Sequence, residues 1–292
     1  MATLLDAQNR QDLIISAYTI DGLDGVATLE ERAAAAAKAG FRKIGMTREQ
    51  YLGERHAGRS DADLRAILGH HGIENVEIEY MFGWAGTGGG SGLPGQPQVD
   101  WRDRERDLYA LADAVGARHM NCGEVGFGSL LPMDALAERF AGIADRAKEH
   151  GMLALLQFMP YAGIADIETA ADIVRRADHP NAGILLDTWH FFRGNPDFEA
   201  VRKTPPEKIM LIQLCDGKSP YGDLRHDSVH ARKLPGEGEF DLKGLMALLD
   251  EAGVNCPISI EVLSDELAAL SPEAAAKQVF DGTRAFLDSI IP

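Results

Sequence analysis

The sequence predicts an α/β protein with a single domain over residues 1–292, a closed (β/α)8 TIM barrel. Short apolar runs alternate with helical patterns along the whole chain, which is typical of parallel strands joined by helices. Eight strand–helix units can be counted, and 292 residues suit a barrel, which commonly takes about 250 residues as one unit. An open doubly wound sheet is the competing fold. It would carry a glycine fingerprint after its first strand, and the sequence has none there.

The eight predicted strands are short runs dominated by apolar residues. They cover residues 13–20, 41–46, 75–81, 117–124, 152–158, 182–187, 208–216 and 257–262. Each is followed by a helical pattern or by a connection of helix length. The predicted helices cover residues 28–40, 60–72, 101–115, 133–151, 166–177, 197–203, 240–253 and 272–288. In the second of them, Ser60 can cap the first turn, Asp63 occupies the third helical position and Gly72 ends the helix.

A glycine-rich segment, "GWAGTGGGSGLPGQP" at 83–97, follows the third predicted strand. It contains no phosphate-binding pattern such as GxxxxGKS. We therefore expect a mobile lid or a rim loop at this position.

Composition excludes several classes of protein. The formal net charge of −16 argues against a nucleic-acid partner, because phosphate binding needs clustered Lys and Arg. No apolar run approaches the ~20 residues that cross a membrane, and no signal peptide is expected from the first residues, so we expect a cytoplasmic protein. The three cysteines are scattered without CxxC spacing, which argues against a disulfide framework and a structural zinc site.

Four successive predicted strands, the fifth to the eighth, end on oxygen-bearing side chains. These are Gln157, Asp187, Gln213 and Glu261. Because the carboxyl ends of barrel strands meet at one rim, we expect these four side chains to converge. Oxygen donors of this kind suit a hard divalent cation such as Mg²⁺ or Mn²⁺.

The segments "LLQFMPY", "LLDTWHFFRG", "IQLCDG", "RKLPGEGEFDL" and "SIEVLSDEL" carry a resemblance to a known family. Over residues 150–268 in particular, the chain resembles the xylose isomerase-like barrels, a family of sugar isomerases and epimerases. The resemblance implies a divalent metal, Mn²⁺ or Mg²⁺, held by Glu, Asp, His and Glu at the ends of strands five to eight. By position these become Gln157, Asp187, Gln213 and Glu261, so that two glutamines replace a carboxylate and an imidazole. We expect weaker metal binding than in the family, and a vestigial, metal-free site stays open.

The resemblance also implies a reaction that begins with removal of a proton next to a carbonyl. Since an amide cannot remove a proton, Glu261 is the expected catalytic base, with His190 as a catalytic partner and Glu79 or Glu124 as alternatives. The first expectation is isomerisation or epimerisation of a sugar or a related polyhydroxylated keto-compound. A lyase or dehydratase that eliminates a group β to a carbonyl is the runner-up. A non-catalytic carbohydrate-binding subunit is the third reading.

Substrate binding is expected at Arg232, His190, Glu124 and Trp84. Arg232 resembles the family's substrate-binding arginine and can clamp a hydroxyl, carboxylate or phosphate group, while Trp84 can stack on a sugar face. The endonuclease IV group shares the barrel, but the negative charge and the scarcity of histidines at strand ends argue against DNA repair. Whether the chain forms a homo-oligomer is left open.

Overall fold

Eight parallel strands close into a barrel, which confirms the predicted fold class. The computed structural model describes residues 4–5, 12–20, 22–23, 25–86, 90–91, 99–125 and 129–290. In chain order the barrel strands are β1 (Ile14–Ile15), β2 (Lys43–Thr47), β3 (Glu74–Met81), β4 (His119–Cys122), β5 (Leu153–Gln157), β6 (Ala182–Asp187), β7 (Ile209–Leu214) and β8 (Ile258–Ile260). Each strand pairs with its neighbours in the sequence, and β1 closes the ring by pairing with both β2 and β8.

Twelve α-helices lie in the described part of the chain and surround the barrel. They are α1 (Leu29–Ala39), α2 (Arg48–His56), α3 (Asp61–His71), α4 (Trp101–Val115), α5 (Met133–Glu149), α6 (Ile167–Ala177), α7 (Thr188–Arg193), α8 (Phe198–Lys203), α9 (Leu224–His230), α10 (Leu242–Glu251), α11 (Asp265–Ala268) and α12 (Pro272–Ser289). The first and last of these helices pack on each other, so the helical layer closes as the barrel does.

All eight predicted strands are present, but the first is much shorter than predicted. Residues 17–20 form a turn instead of continuing β1. The backbone N–H of Ala17 donates to the carboxylate of Glu79 at 3.1 Å instead of to a neighbouring strand. The Thr19 hydroxyl donates to the Ile260 carbonyl and accepts from the N–H of Val262. The N–H of Ser16 still donates to the Ile260 carbonyl, and beyond it side chains take over hydrogen bonds that a longer β1 would make.

The predicted caps of α3 are confirmed. Ser60 Oγ accepts from the N–H of Asp63, the Asp63 carboxylate accepts from the N–H of Ser60, and Gly72 has a φ of 63°. Four helices were not predicted: α2, α7, α9 and α11. The first of them has the same kind of signal, since Thr47 and Gln50 form a capping box.

The interior of the barrel is layered, because alternate residues of a strand point to the same side. Ile14, Leu155, Leu185 and Leu211 form one buried apolar cluster. Polar side chains lie two residues after each member of this cluster along the chain. These are Ser16, Gln157, Asp187 and Gln213, all buried. The barrel thus has an apolar floor beneath a polar layer at the carboxyl ends of the strands, and this layer contains the predicted site.

The glycine-rich segment 83–97 is described only in part. Its two-residue strand Gly90–Ser91 pairs with Val99–Asp100, and residues 87–89 and 92–97 lie outside the described residues. The expected lid or rim loop stays a prediction. Within the described ranges, no helix has both the length and the apolar character that a membrane crossing requires.

Candidate active site

The structure brings the four strand-end residues together. Asp187 and Gln213 are direct neighbours in the β6–β7 pairing. Gln157 Nε2 donates to Asp187 Oδ2 at 3.2 Å and to Gln213 Oε1 at 2.9 Å. Glu261 follows β8 on the same inward face as Ser259. All four side chains are buried, and they form one hydrogen-bonded cluster at the carboxyl end of the barrel.

Asp187 has two separate tasks, one for each carboxylate oxygen. Its Oδ1 accepts from the N–H groups of Trp189 at 2.7 Å and His190 at 3.3 Å and so caps α7. Its Oδ2 faces the cluster. Burial raises the pKa of Asp187, but the charge of Arg232 and the hydrogen bonds to the carboxylate outweigh burial and bring the pKa below its ordinary value. Asp187 is therefore an anion fixed in place at both oxygens.

Arg232 joins the two carboxylates of the cluster. Its Nη1 donates to Asp187 Oδ2 at 2.9 Å and to Glu261 Oε2 at 3.0 Å. Its Nε donates to the Ser228 carbonyl at 2.7 Å. The side chain is 3% exposed. Burial lowers its pKa, but the negative charges of Asp187 and Glu261 raise it well above the ordinary value, so the guanidinium stays charged.

Glu261 is the strongest candidate for a general base. Burial raises its pKa to about 8, against the opposing effect of Arg232. Its Oε1 accepts from the hydroxyl of Tyr80 and, at 3.4 Å, from that of Ser16. Burial and the charge of Glu261 in turn raise the pKa of Tyr80 well above its ordinary value, so this phenol stays a proton donor. A base whose pKa lies near neutrality is suited to proton transfer at physiological pH.

Two further glutamates of β3, Glu77 and Glu79, lie fully buried under this cluster. Gln213 Nε2 donates to Glu77 Oε1 at 3.2 Å and to Glu79 Oε1 at 3.1 Å. Burial raises the pKa of Glu77, but His119 and hydrogen bonds from Asn121 and other groups bring it below the ordinary value. Burial and the charges of Glu77 and Glu261 raise the pKa of Glu79 well above its ordinary value. The two pKa values are thus shifted in opposite directions, which favours the anion at Glu77 and the neutral acid at Glu79.

The sequence indicated Glu79 but missed Glu77 and Tyr80. A signal for Glu77 existed in "VEIEY", where glutamates at alternate positions of a strand must share one face. In the structure, Asn121 on the neighbouring strand β4 donates to Glu77 Oε1 at 2.9 Å.

A cavity of about 40 Å³ opens above Glu261. Its described lining consists of Tyr18, Leu23, Tyr80, Phe82, Val125, Met159, Tyr161, His190, Ser228, Val229, Arg232, Glu261 and Leu263. Tyr80 stacks between Tyr18 and Phe82, with ring centres 6.1 and 5.1 Å away. Sugar-sized ligands commonly need a pocket of at least about 300 Å³. The aromatic wall must therefore shift before a substrate of that size can reach Glu261.

His190 lies in the cavity wall. Its Nε2 lies 3.6 Å from Asp187 Oδ2. Burial lowers its pKa to about 4, against the charge of Asp187. Within the described structure, its buried Nδ1 has no hydrogen-bond partner. The imidazole is therefore neutral at physiological pH, with one ring nitrogen left for a ligand.

Trp84 and Glu124 are not part of the described cavity lining. Trp84 is fully buried, donates its indole N–H to the Gly123 carbonyl at 3.0 Å and stacks on Phe140. This corrects the expectation that Trp84 stacks on a sugar, because its ring is already enclosed by the protein. Glu124 Oε2 accepts from the N–H of Ala85 at 3.0 Å and so holds the loop after β3.

The four expected metal ligands do not fit a divalent cation. Both oxygens of Asp187 accept hydrogen bonds from nitrogen donors, and both oxygens of Glu261 are occupied by Tyr80 and Arg232. The Gln213 carbonyl accepts from Gln157, which leaves Gln157 Oε1 as the open acceptor of the set. Across the described residues, no three His, Cys, Asp or Glu side chains are arranged to hold a metal ion. The expected Mn²⁺ or Mg²⁺ site at Gln157, Asp187, Gln213 and Glu261 stays a prediction, which this arrangement does not support.

A model of the family described as xylose isomerase-like TIM barrels matches residues 33–286. The chain belongs to this family. The resemblance inferred from the strand-end segments is therefore confirmed, together with the barrel fold.

Curated relatives in this family include lyases and isomerases. A 3-dehydroshikimate dehydratase from Pseudomonas aeruginosa is 28% identical over 264 residues, which cover 89% of this chain and 39% of the relative. An inosose isomerase from Bacillus velezensis is 28% identical over 152 residues, which cover 51% of this chain and 53% of the relative. The chain thus spans well under two thirds of the length of the dehydratase.

Solved structures share the fold. An IolI protein described with a binding zinc atom has a TM-score of 0.81, over 96% of this chain and 99% of that chain. Its sequence identity is 18%, so the likeness speaks for the barrel and not for the zinc site.

Proposed function

We propose that this barrel is a lyase that removes a proton next to the carbonyl of a small polyhydroxylated keto-compound and eliminates water. One observation carries the proposal. Among the described lining residues, Glu261 is the single carboxylate that faces the cavity. Gln157, at the position where the family resemblance implies a second carboxylate, cannot accept a proton.

Elimination is compatible with a single base. Glu261 takes the proton from the carbon next to the carbonyl, and the electron pair of that C–H bond forms a C=C bond as the β-hydroxyl group departs. The proton held by Glu261 can leave with that hydroxyl group as water, which returns the base to its starting form. The similarity to a dehydratase over 89% of the chain supports this reading.

The negative charge that develops on the carbonyl oxygen needs donors nearby. Tyr80 and Arg232 both line the cavity beside Glu261, and a phenol O–H and a guanidinium are suitable partners for an enolate oxygen. His190 is placed to orient a substrate hydroxyl group through its open Nδ1. The proposal routes no step through Mn²⁺ or Mg²⁺, because the cluster does not fit such an ion.

Isomerisation or epimerisation, which the sequence placed first, is the second candidate. The similarity to inosose isomerases over about half of the chain favours it. Epimerisation returns the proton to the opposite face of the carbon and therefore needs a second acid. Among the described lining residues, His190 would first have to take up a proton to supply one, and Tyr80, which keeps its proton, is the other candidate.

The test is a screen of 3-dehydroshikimate, inososes and keto-sugars in D₂O, followed by NMR and mass spectrometry. We expect loss of water from one of them, and Glu261→Gln should abolish both this reaction and any exchange of hydrogen for deuterium. Glu199→Gln, which changes an exposed glutamate of α8 in the same way, is the control and should keep full activity. Exchange without loss of water would favour the isomerase, and full activity in Glu261→Gln would exclude Glu261 as the base.

A further inference from the structure

We propose that this site operates without a metal ion, because the guanidinium of Arg232 stands where the family resemblance places the divalent cation. Arg232 Nη1 lies 2.9 Å from Asp187 Oδ2 and 3.0 Å from Glu261 Oε2. These are the two carboxylates retained from the expected ligand set. A single nitrogen between two carboxylate oxygens supplies the positive charge that would otherwise come from a metal ion.

Several protein groups hold Arg232 in this position. Besides the two carboxylates, its Nη1 lies 3.3 Å from the Glu261 carbonyl and 3.6 Å from Cys215 Sγ. Its Nε donates to the Ser228 carbonyl at 2.7 Å. The guanidinium also lies over the ring of Trp189, 5.6 Å from its centre. A side chain with this many buried contacts is a fixed part of the site.

The net charge of the site favours either the guanidinium or a divalent cation between the two carboxylates, but not both. When Glu261 is ionised, as the proposed base must be, Asp187, Glu261 and Arg232 together carry a charge of −1. A divalent cation would change this sum to +1 and would sit against the guanidinium, in a buried region where like charges repel strongly. Within this set, the ion and the arginine therefore compete for the same pair of carboxylates.

Gln157 fits the metal-free arrangement for a related reason. Its Nε2 donates to Asp187 Oδ2 at 3.2 Å. A glutamate at this position would bring a second carboxylate against Asp187, and only a cation or a shared proton between them would relieve the repulsion. The amide instead donates a hydrogen bond. The amide of Gln157 thus removes one negative charge, and the guanidinium of Arg232 supplies the positive charge between the two carboxylates that remain.

The first experiment measures metal content and metal response in the absence of substrate, so its outcome is independent of the proposed elimination. Wild-type protein and the Asp187→Asn variant are produced in medium supplemented with Mn²⁺, Mg²⁺ and Zn²⁺ and analysed by mass spectrometry of the elements. Melting temperatures are recorded with EDTA and with each added metal. We expect no bound ion that depends on Asp187, and no shift of the wild-type melting temperature.

A stoichiometric ion that is present in the wild type, is lost in Asp187→Asn and raises the melting temperature would overturn the proposal. An ion that both proteins retain equally is bound elsewhere on the chain, whose net charge is −16. Such an ion is consistent with a metal-free site at Asp187. Asn keeps the oxygen that caps α7, so this variant is matched to the wild type in that respect.

A second experiment rebuilds the site. The Gln157→Glu/Arg232→Met double variant restores the carboxylate and removes the guanidinium. We expect it to gain a rise in melting temperature with Mn²⁺ that the wild type lacks. Gln157→Glu alone keeps the guanidinium and should respond less. An equal response of the wild type and the double variant would contradict the replacement, and the wild-type measurement decides the question even when the double variant does not fold.

Discussion

At the scale of single residues, the proton affinity of Glu261 is set by opposing neighbours. Burial raises its pKa to about 8, whereas Arg232 and the hydrogen bond from Tyr80 lower it. A general base acts in its ionised form. Turnover that depends on Glu261 should therefore rise with pH and reach half of its plateau near the pKa of this group.

The Tyr80→Phe variant tests this assignment. Without the phenol hydroxyl, Glu261 loses a donor that favours its ionised form, so the midpoint of the pH–rate profile should move to higher pH. Tyr161→Phe is the matched control. Its hydroxyl also belongs to the cavity wall but contacts Ser228 Oγ at 3.2 Å, and its profile should keep the wild-type midpoint. The measurement is kcat/KM against pH for all three proteins, and an unmoved midpoint in Tyr80→Phe would contradict the role of the phenol.

Part of the site could be predicted from single residues in the sequence. Asp187 and Glu261 follow apolar runs directly, and strand ends of a barrel meet at one rim, so their convergence was foreseeable. The bridging position of Arg232 was not, because it lies in a connection beyond β7 and reaches the carboxylates only once the barrel has closed. For Trp84 the sequence predicted a contact with substrate that the structure does not have. A tryptophan beside a strand end can equally be enclosed by helices.

At the scale of elements, the strands were easier to predict than the short helices. A buried strand is a continuous apolar run, whereas α7, α8 and α9 have six or seven residues and too few turns for a clear periodicity. All three begin at an aspartate. Asp187, Asp197 and Asp223 each accept from two backbone N–H groups of the first turn. For these short helices the capping aspartates were thus a stronger sequence signal than hydrophobic periodicity. Of the three, only α8 was predicted.

The helix α9 should influence the site through Arg232, since Ser228 of α9 accepts from the guanidinium. Asp223→Ala removes the cap of α9, and Asp197→Ala removes a similar cap from α8. Each should lower the free energy of unfolding by about 1 kcal/mol. Because no residue of α8 is in the described cavity lining, only Asp223→Ala should also lower kcat/KM. Urea unfolding and steady-state kinetics of both variants check this, and an equal loss of kcat/KM in the two would refute it.

At the scale of the whole molecule, the alternation of side chains in each strand places an apolar floor below a polar layer. The floor of Ile14, Leu155, Leu185 and Leu211 is a fully buried apolar cluster. The acids above this floor are buried away from water, and burial favours their neutral form. Glu79 illustrates this, since burial and the charges of Glu77 and Glu261 raise its pKa well above the ordinary value.

This raised pKa should make the stability of the barrel depend on pH. In the unfolded chain Glu79 ionises near its ordinary pKa, about 4.3, whereas the folded protein keeps the proton to higher pH. Between these two values the folded state holds one more proton than the unfolded state, so stability falls as pH rises through this window. One such proton corresponds to a slope of at most about 1.4 kcal/mol per pH unit.

The Glu79→Gln variant should lower that slope, because a neutral amide carries no titrating proton. The pKa of Glu261 is also raised, to about 8, so Glu261 also makes stability fall as pH rises. Part of the slope should therefore remain in the variant. Glu74→Gln changes an exposed glutamate at the start of the same strand and should leave the slope as in the wild type. Urea unfolding of the three proteins between pH 5 and pH 9 measures the slopes. An unchanged slope in Glu79→Gln would mean that Glu79 is ionised in the folded barrel, and the polar layer would then hold a second buried anion beside Glu77.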